Sequence, residues 1–503
     1  MHAAYLDSIL YPRLGPQVNA SLPPVLTIEF VLEGYRNGSF VPSELIRAVL
    51  ARIAAADDPT IWISVATDSG LRARLAGMDA RLRAGAAAVL EAEPLFGVPF
   101  AVKDNIDVAG FATTAACPAF AYLPEASAEV VRRLEAAGAI AVGKTNLDQF
   151  ATGLVGTRSP YGTVQSPFHP DYISGGSSSG SAAATALGHV AFALGTDTAG
   201  SGRVPAAFCN LVGLKPTPGL LSSKGVVPAC RSLDCVSVFA HSVAEGWRVI
   251  GLAGDGGNAP APGQPPQGPV VGLPAGLQDE LDPQAWGAFQ AALAALDGMQ
   301  SLRFDEVDLA PFHEVAALLY DGPWVAERRA ALGGFFDSHR DSLDPVVAAV
   351  IASADRMSAA DAFLGRYRLE ELTPVCLDVF RHVDVLLVPT TPTTYTSREI
   401  AEHPFERNAR LGRYTNFVNL LGLSALAMPG PFRADGLPAG VTLIGPAGAD
   451  YLLAETARQW EPALHARLGV SFRVPPRCTT RLPPWPLPSS ATFAEPAGKR
   501  RRA

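Results

Sequence analysis

The sequence has few charged residues and no long apolar run. Charged residues make up 17% of the 503 positions, hydrophobic residues make up 48%, and the formal net charge is −8. A chain of this charge lacks the basic surface that nucleic acids and anionic membranes attract. No stretch approaches the roughly 18 consecutive apolar residues of a membrane-spanning helix. Composition therefore predicts a globular protein that acts on a small molecule, with no nucleic-acid and no membrane partner.

Cysteine is scarce and scattered. The six cysteines show no metal-ligand spacing: Cys117, Cys209, Cys230, Cys235, Cys376 and Cys478. The opening residues, MHAAYLDSILYPRLG, lack the basic and apolar regions of a secretory signal. We therefore expect no metal site and a reducing, cytoplasmic location.

Strand-like and helical patterns alternate along the chain. Apolar runs such as WISVA, FGVPFAV and VDVLLVPT predict strands, and helical periods separate them around residues 42–55, 71–90 and 312–332. Such alternation indicates an α/β layered sheet. The prolines and glycines at the margins predict an irregular arm over residues 1–27, a loop near 255–269 and a disordered tail over 473–503.

A glycine- and serine-rich stretch, SGGSSSGSAAATALGHVAFALGTDTAGSGRVP, runs from Ser174 to Pro205. Its composition alone fits a flexible linker, but a linker would not contain the apolar run from His189 to Leu194. We predict two tight loops with a helix and a strand between them. Acyl-transfer enzymes place a nucleophile and an oxyanion hole on loops that present hydroxyl and backbone N–H groups in this way.

Two shorter motifs match known sites only formally. GAIAVGKT, residues 138–145, spells a phosphate-binding P-loop, but its Ala-Ile-Ala-Val core follows a helix and predicts a buried strand. We therefore expect no nucleotide site there. GSSSG, residues 176–180, spells a nucleophile elbow centred on Ser178, yet the preceding HPDYISG predicts a loop where an elbow requires a strand.

The base for acyl transfer is not an evident histidine. None of the nine histidines lies in the serine-rich loops, and no S-x-x-K tetrad is present. A lysine can act as the base where burial lowers its pKa. Lys103, at the end of the predicted strand FGVPFAV, is the candidate, and a surface lysine at a strand end is the alternative interpretation.

Four motifs, GVPFAVKDN, GGSSSGSA, GTDTAGSGRVPA and GLKPT, occur in this order. Together they resemble the amidase signature family, over roughly residues 46–460. The resemblance implies a layered α/β fold with a large mixed β-sheet flanked by helices, and an amidase domain over residues 28–472. It also implies a homodimer that needs no metal and no cofactor.

The family uses a Ser-Ser-Lys triad, and each member has a counterpart here. The resemblance implies Lys103 as the base, Ser177 as the bridging serine after a cis peptide, and Ser201 as the nucleophile. It implies an oxyanion hole made by the backbone N–H groups of Thr198, Ala199, Gly200 and Ser201. Asp197 and Arg203 are expected to hold the loops. Where the family more often has Gly-Gly-Ser-Ile-Arg, this chain has Ala-Gly-Ser-Gly-Arg.

A second pair of residues bears on the substrate. In LLYDGPWVAERRAAL, Tyr320 precedes Arg328 by eight residues, so on a continuous helix both can face one pocket. A guanidinium and a phenol suit a small carboxylate, although the pattern alone favours an ordinary helix with Arg328 in solvent. YDGPWVAER, NLDQFATG and SSSGS resemble the allophanate hydrolase branch of the family. That resemblance implies that Tyr320 and Arg328 hold a substrate carboxylate and that Thr152 and Gly153 contact the substrate.

We therefore expect an amide hydrolase that releases ammonia from a small carboxylate-bearing amide, most of all allophanate, through an acyl-enzyme. Within the family, the alternatives are a broad small-amide hydrolase and the glutamine-hydrolysing chain of an aminoacyl-tRNA amidotransferase. Outside it, the alternatives are a catalytically silent partner protein of the same fold and a nucleotide-binding protein.

Overall fold

The computed structural model of the chain describes residues 22–56, 58–66, 69–254, 268–299, 302–464, 467, 469–471 and 481–483. Three sequence predictions therefore lie wholly or largely outside the described residues: the arm up to residue 21, the loop from 255 to 267, and the tail apart from 481–483. Within the described ranges, no helix is both long and apolar enough to cross a membrane.

The strands, numbered in chain order, are β1 (Trp62–Val65), β2 (Pro99–Lys103), β3 (Ile140–Thr145), β4 (Gln165–Ser166), β5 (His169–Ile173), β6 (Phe192–Asp197), β7 (Val212–Lys215), β8 (Cys235–Ala240), β9 (Val270–Pro274), β10 (Arg303–Val307), β11 (Val385–Pro389), β12 (Ser424–Pro429) and β13 (Gly440–Gly445).

The helices are α1 (Ile28–Arg36), α2 (Pro42–Ala54), α3 (Ser69–Ala92), α4 (Glu129–Ala136), α5 (Ser179–Ala186), α6 (Val204–Phe208), α7 (Val243–Ala253), α8 (Leu277–Glu280), α9 (Pro283–Asp297), α10 (Ala310–Ala317), α11 (Trp324–Leu332), α12 (Gly334–Ser338), α13 (Pro345–Ala352), α14 (Ala359–Leu377), α15 (Ser397–Glu402), α16 (Glu406–Leu411), α17 (Asn416–Leu420) and α18 (Asp450–Leu464).

Eleven of these strands form one mixed sheet, in the order β1-β3-β2-β6-β8-β7-β12-β13-β11-β9-β10. Strands β3, β2 and β6 run parallel to one another, while β6, β8, β7, β12, β13 and β11 pair antiparallel in turn. Helices such as α5 and α18 pack on the sheet. This arrangement confirms the predicted α/β class with a large mixed sheet.

The three parallel strands explain why the catalytic candidates converge. All residues of β2, β3 and β6 are buried, as expected for central parallel strands that are covered on both faces. Parallel strands end at the same edge of a sheet, and β2 ends at Lys103 while β6 ends at Asp197, four residues before Ser201. Both serine-rich loops therefore lie at the edge where β2 delivers its lysine.

Several elements differ from the sequence predictions. The run from His189 to Leu194 was expected to be the strand, but β6 begins three residues later, at Phe192, because His189 to Ala191 form the turn out of α5. The segment HPDYISG was predicted to be a loop, which is wrong: its first five residues form β5, which pairs with β4. The helical region over residues 312–332 is also not continuous, since α10 and α11 are separated by a turn.

Candidate active site

Lys103 is the last residue of β2, and its side chain is fully buried. Its Nζ lies 2.7 Å from Ser177 Oγ and 2.8 Å from Thr196 Oγ1. Burial lowers the pKa of Lys103 from 10.5 to about 7, against the opposing pull of the carboxylates of Asp148 and Asp197. A lysine with this pKa is neutral in a large fraction of molecules near neutral pH, so it can accept a proton.

Ser177 is held by its backbone. The Gly176–Ser177 peptide is cis, as expected, and the Ser177 carbonyl accepts a 3.1 Å hydrogen bond from the N–H of Asp148. A Cβ atom at position 176 would lie 2.1 Å from Asp148 Oδ2, so only glycine fits there. The same carboxylate accepts hydrogen bonds from the N–H groups of Val155 and Gly156 at 3.1 and 3.0 Å. Asp148 therefore ties the bridging serine to the loop after β3.

The remaining serines of α5 attach that helix to the sheet. Ser178 Oγ donates to the carbonyl of Thr196 at 3.1 Å, and Ser181 Oγ donates to the carbonyl of Leu194 at 2.9 Å. Ser178 is fully buried and bonded to β6, whereas the serine of a nucleophile elbow is exposed at a strand–helix turn. Although β5 supplies the strand that the elbow motif requires, Ser178 supports the site as a structural residue.

Asp197 and Arg203 brace the loop that carries Ser201. Arg203 Nε and Nη2 donate to the two oxygens of Asp197 at 2.9 and 3.0 Å, and both side chains are fully buried. Burial alone would raise the pKa of Asp197, but Arg203 and the backbone N–H of Gly202 outweigh it and keep that pKa below its usual value. A permanent ion pair thus closes the loop on itself.

The oxyanion-hole prediction needs one correction. The N–H of Gly200 donates to Asp197 Oδ1 at 2.8 Å, so it points into the loop and is already occupied. Among the described residues, the N–H groups of Thr198, Ala199 and Ser201 have no hydrogen-bond acceptor. These three are the donors that a substrate oxygen can use. Ser201 itself is 2% exposed, and its Oγ lies 3.5 Å from the carbonyl of Gly153.

A distant segment grips the same loop from the other side. Thr415 Oγ1 donates to the carbonyl of Ala199 at 2.6 Å, and the Thr415 carbonyl accepts from Arg203 Nη2 at 3.1 Å. Gly200 has a φ of +133°, and a Cβ there would meet Thr415 Oγ1 at 2.4 Å. Asn419 adds a 2.8 Å hydrogen bond to the Asp197 carbonyl. Glycine is therefore required at position 200, both by its backbone angle and by this contact.

Tyr320 and Arg328 meet, although not on one helix. Tyr320 lies in the turn between α10 and α11, and Arg328 lies within α11, so the expected continuous helix is wrong. The turn nevertheless brings Tyr320 back over Arg328, with 3.4 Å between the hydroxyl and Nη2 and 5.4 Å between the guanidinium carbon and the ring centroid. The expected solvent position of Arg328 on an ordinary helix is also wrong, since the residue is 2% exposed.

The Arg328 guanidinium is close to the catalytic candidates. Its Nη1 lies 3.2 Å from Thr152 Oγ1, and the next residue, Gly153, supplies the carbonyl beside Ser201 Oγ. Arg328 forms no ion pair within the described part of the chain, and its Nε has no hydrogen-bond partner there. A buried cation with spare donors is costly unless an anion joins it. The arrangement therefore suits a small anionic ligand.

Lys144, the lysine of the formal P-loop, has a structural role. It lies in β3, fully buried, with its Nζ 3.1 Å from Asp104 Oδ1 and 3.1 Å from Thr113 Oγ1. Burial lowers the pKa of Lys144, against the pull of Asp104. The residues between the glycines form the predicted buried strand, so their N–H groups are not gathered around a phosphate.

Sequence reasoning missed several residues that complete the site. Thr196 contacts Lys103, Asp148 holds the Ser177 backbone, and Asp234 Oδ1 accepts a 2.5 Å hydrogen bond from Thr198 Oγ1. Thr196 and Asp148 lie inside motifs that were already suspect, GTDTAGS and NLDQFATG, so their polar type was a usable signal. Thr415 comes more than 200 residues later, and no local pattern marks it.

Comparisons with known proteins agree with this geometry. The family model described as Amidase matches residues 44–454. The urea amidolyase of Saccharomyces cerevisiae is 47% identical over 382 residues, which cover 74% of this chain and 21% of that protein. The glutamyl-tRNA(Gln) amidotransferase of a Synechococcus strain has a chain, its A component, that is 35% identical over 479 residues, covering 85% of this chain and 95% of that protein.

Solved structures show the same likeness. An allophanate hydrolase of Kluyveromyces lactis superposes with a TM-score of 0.79 at 38% identity, covering 91% of this chain and 76% of that chain. The chain spans about a fifth of the length of the urea amidolyases that it matches. The chain therefore belongs to the Amidase family, as an enzyme similar to allophanate hydrolase and urea amidolyase.

Proposed function

We propose that the chain hydrolyses the terminal amide of a small carboxylate-bearing substrate and that allophanate is its preferred substrate. The observation that carries this proposal is the buried Arg328, which has no ion-pair partner among the described residues and contacts Thr152, next to the carbonyl beside Ser201. Similarity to allophanate hydrolase at 38% identity supports the same substrate.

In the proposed mechanism, Lys103 is the general base and Ser177 relays the proton. With Lys103 neutral, the Ser177 hydroxyl donates to Nζ across the 2.7 Å contact, and Ser177 Oγ takes the proton of Ser201 as Ser201 attacks the amide carbon. The lowered pKa of Lys103, about 7, matches a base that acts near neutral pH. Thr196, which also contacts Nζ, fixes the amine relative to β6.

The oxyanion of the tetrahedral intermediate would lie against the unoccupied N–H groups of Thr198, Ala199 and Ser201. Collapse of that intermediate breaks the C–N bond, and the relay returns the proton so that ammonia leaves. Ser201 then carries the acyl group as an ester. Attack by water, activated by the same relay, releases the carboxylic acid product and restores Ser201. In balance, one water replaces one ammonia.

Arg328 gives the substrate its orientation. A bidentate pair between its guanidinium and the substrate carboxylate would satisfy the spare donors and place the distal amide toward Ser201. Tyr320 can donate its hydroxyl to the same carboxylate, since that hydroxyl lies 3.4 Å from Arg328 Nη2. Thr152 and Gly153 would form the wall between the carboxylate and the nucleophile.

A second candidate is glutamine hydrolysis, which is favoured by the 35% identity to the amidotransferase chain over nearly its full length. Glutamine would bring an ammonium group as well as a carboxylate, and an ammonium needs an acidic partner. Asp234 is the acid whose charge acts on Arg328, and its oxygens already accept hydrogen bonds from Thr198, Ala229 and Cys230. This occupation favours a substrate without an ammonium group.

One panel of substrates tests the proposal. Ammonia release is measured with allophanate, malonamate, glutamine and a simple aliphatic amide at equal enzyme concentration. We expect the two carboxylate-bearing amides without an ammonium group to give the highest kcat/KM. Highest activity on glutamine would favour the amidotransferase function, and equal activity on the neutral amide would favour a broad amidase.

Three further expectations complete the proposal: a homodimer, a cytoplasmic location and an amidase domain over residues 28–472. Light scattering on the purified chain measures the first. Limited proteolysis measures the third, since a protected core that begins or ends well inside residues 28–472 would contradict the domain boundaries.

A further inference from the structure

A cavity of about 600 Å³ opens beside Tyr320. Tyr320 lines its wall, and the hydroxyl of this residue is the group that approaches Arg328 Nη2. Gly412 and Asn416, which flank Thr415, also line the cavity. The cavity thus touches both the residue pair expected to hold a carboxylate and the segment that grips the oxyanion loop. Its volume is typical of ligand pockets and much larger than a molecule of the size of allophanate.

The charge on the cavity wall is predominantly positive. Arg158, Arg356 and Arg413 line it, against the single carboxylate of Asp321. Arg413 is neutralised by Glu280, whose carboxylate lies 2.5 Å away. Arg158 and Arg356 take part in no ion pair with a carboxylate of the described residues. On a chain with a formal net charge of −8, this wall is a local excess of positive charge.

Arg158 connects the cavity to the site. It is 4% exposed, and its donors meet carbonyl groups: Nη1 lies 3.0 Å from the Thr152 carbonyl and Nη2 lies 2.6 Å from the Pro404 carbonyl. Its Nε has no hydrogen-bond partner in the described chain. Arg328 contacts the side-chain oxygen of the same Thr152. Two guanidinium groups without ion-pair partners therefore contact one residue, and one of them faces the cavity.

We propose that this cavity is an anion-attracting vestibule, through which a small carboxylate reaches Arg328, and that Arg356 and Arg158 supply its field. The inference rests on the proposed function, in that the substrate carries a carboxylate. A concave wall of one charge sign raises the local concentration of oppositely charged ligands and speeds their association. The ligand class is a small mono- or dicarboxylate, whereas a neutral amide gains nothing from the field.

The test compares an anionic and a neutral substrate of the same shape. Malonamate and malonamide differ in a single group, a carboxylate in place of an amide. Their kcat/KM values are measured for the wild type, Arg356→Gln and Arg366→Gln at about 10 mM and about 500 mM NaCl, where the screening length falls from roughly 30 Å to a few ångströms. Arg366 is the matched control, an exposed arginine of α14 that does not line the cavity.

We expect Arg356→Gln to lower kcat/KM for malonamate about 2- to 5-fold at low salt and to have little effect at high salt. Malonamide hydrolysis and the Arg366→Gln control are expected to stay unchanged. Because Arg356 is exposed, its replacement is not expected to disturb folding. A loss that is equal for both substrates, or a loss that does not depend on salt, would overturn the vestibule.

A second measurement separates this inference from the proposed function. The inhibition constant of malonate is determined against malonamide hydrolysis in the same three proteins. If malonamate is not hydrolysed while malonamide is, the proposed substrate class fails. The vestibule still stands in that case if Arg356→Gln weakens malonate inhibition at low salt alone, and it fails if the inhibition constants are equal.

Discussion

Thr415 Oγ1 lies 2.6 Å from the carbonyl oxygen of Ala199, although 216 residues separate the two in sequence. The peptide that joins Ala199 to Gly200 is thereby bonded at both ends, since its N–H donates to Asp197 Oδ1 at 2.8 Å. A peptide held on both sides cannot rotate without breaking a buried hydrogen bond. The neighbouring N–H groups of Ala199 and Ser201 therefore keep one orientation, as an oxyanion hole requires.

Replacement of Thr415 by valine tests this relationship. Valine keeps the volume but leaves the Ala199 carbonyl without its donor, so we expect kcat to fall about tenfold with little change in KM, as for a net hydrogen bond of roughly 1.4 kcal/mol. Thr415→Ser retains the hydroxyl and is expected to restore most of kcat. If the valine and serine variants have the same kcat, the hydroxyl does not position the loop.

The triad residues are expected to act as one unit. Ser201→Ala, Ser177→Ala and Lys103→Ala should each remove most amide hydrolysis, and the Ser177→Ala/Lys103→Ala double variant should lose little more than either single variant. Circular dichroism checks that each variant is folded. Turnover of the Ser201 variant at the wild-type rate would exclude Ser201 as the nucleophile, and additive losses in the double variant would exclude a common relay.

The pKa of Lys103 predicts the pH dependence. The base must be neutral, so kcat/KM should rise tenfold per pH unit below about 7 and level off above it. Asp234 raises this pKa through its charge, so Asp234→Asn should move the midpoint of the profile to lower pH. The same lowered pKa makes the free energy of unfolding rise between pH 7 and 10.5, because the unfolded lysine there holds a proton that the folded one lacks.

Lys144 is expected to matter for stability and not for nucleotide binding. Lys144→Met leaves the buried Asp104 without its cationic partner, which costs about 3–5 kcal/mol. The double variant Lys144→Met/Asp104→Asn removes both charges and should recover part of that loss. Unfolding by urea measures both values, and thermal shift with ATP is expected to show no change in the wild type. An ATP-induced shift that Lys144→Met abolishes would contradict this interpretation.

The elements with strong local patterns were predictable from the sequence. The strand that ends at Lys103 and the buried strand from Ile140 to Thr145 follow from short apolar runs between turns. HPDYISG misled because β5 is exposed along most of its length and pairs with a two-residue strand, so no apolar alternation marks it. The break between α10 and α11 was signalled by Gly322 and Pro323, which the periodicity outweighed.

The candidate site divides in the same way. Lys103, Ser177 and Ser201 stand in motifs that name them, and the structure brings Lys103 to Ser177. Thr415 depends on a tertiary contact that local spacing does not encode. The direction of the Gly200 N–H could not be predicted either, because the carboxylate that it meets is fixed by the Arg203 ion pair. Long-range side-chain contacts, more than element types, were what the sequence left open.

Substrate choice is tested at Arg328. Loss of its guanidinium removes a charge-assisted contact worth roughly 1.5–3 kcal/mol, so Arg328→Ala should lower kcat/KM for allophanate by about one to two orders of magnitude. Neutral amides of similar size should be affected much less, since they lack the carboxylate that Arg328 would bind. Arg328→Lys is expected to recover part of the loss, because an ammonium keeps the charge but not the planar fork.

Arg328 also lowers the pKa of Lys103 through its charge, so Arg328→Ala carries a second expectation that a purely structural role would not produce. The midpoint of the pH profile for a neutral amide should move to higher pH in Arg328→Ala and return toward the wild-type value in Arg328→Lys. Both variants are compared on allophanate and on a neutral amide across pH 5–9. Equal losses on the two substrates would mean that Arg328 does not bind the carboxylate, and the general amidase would then be the better description of the chain.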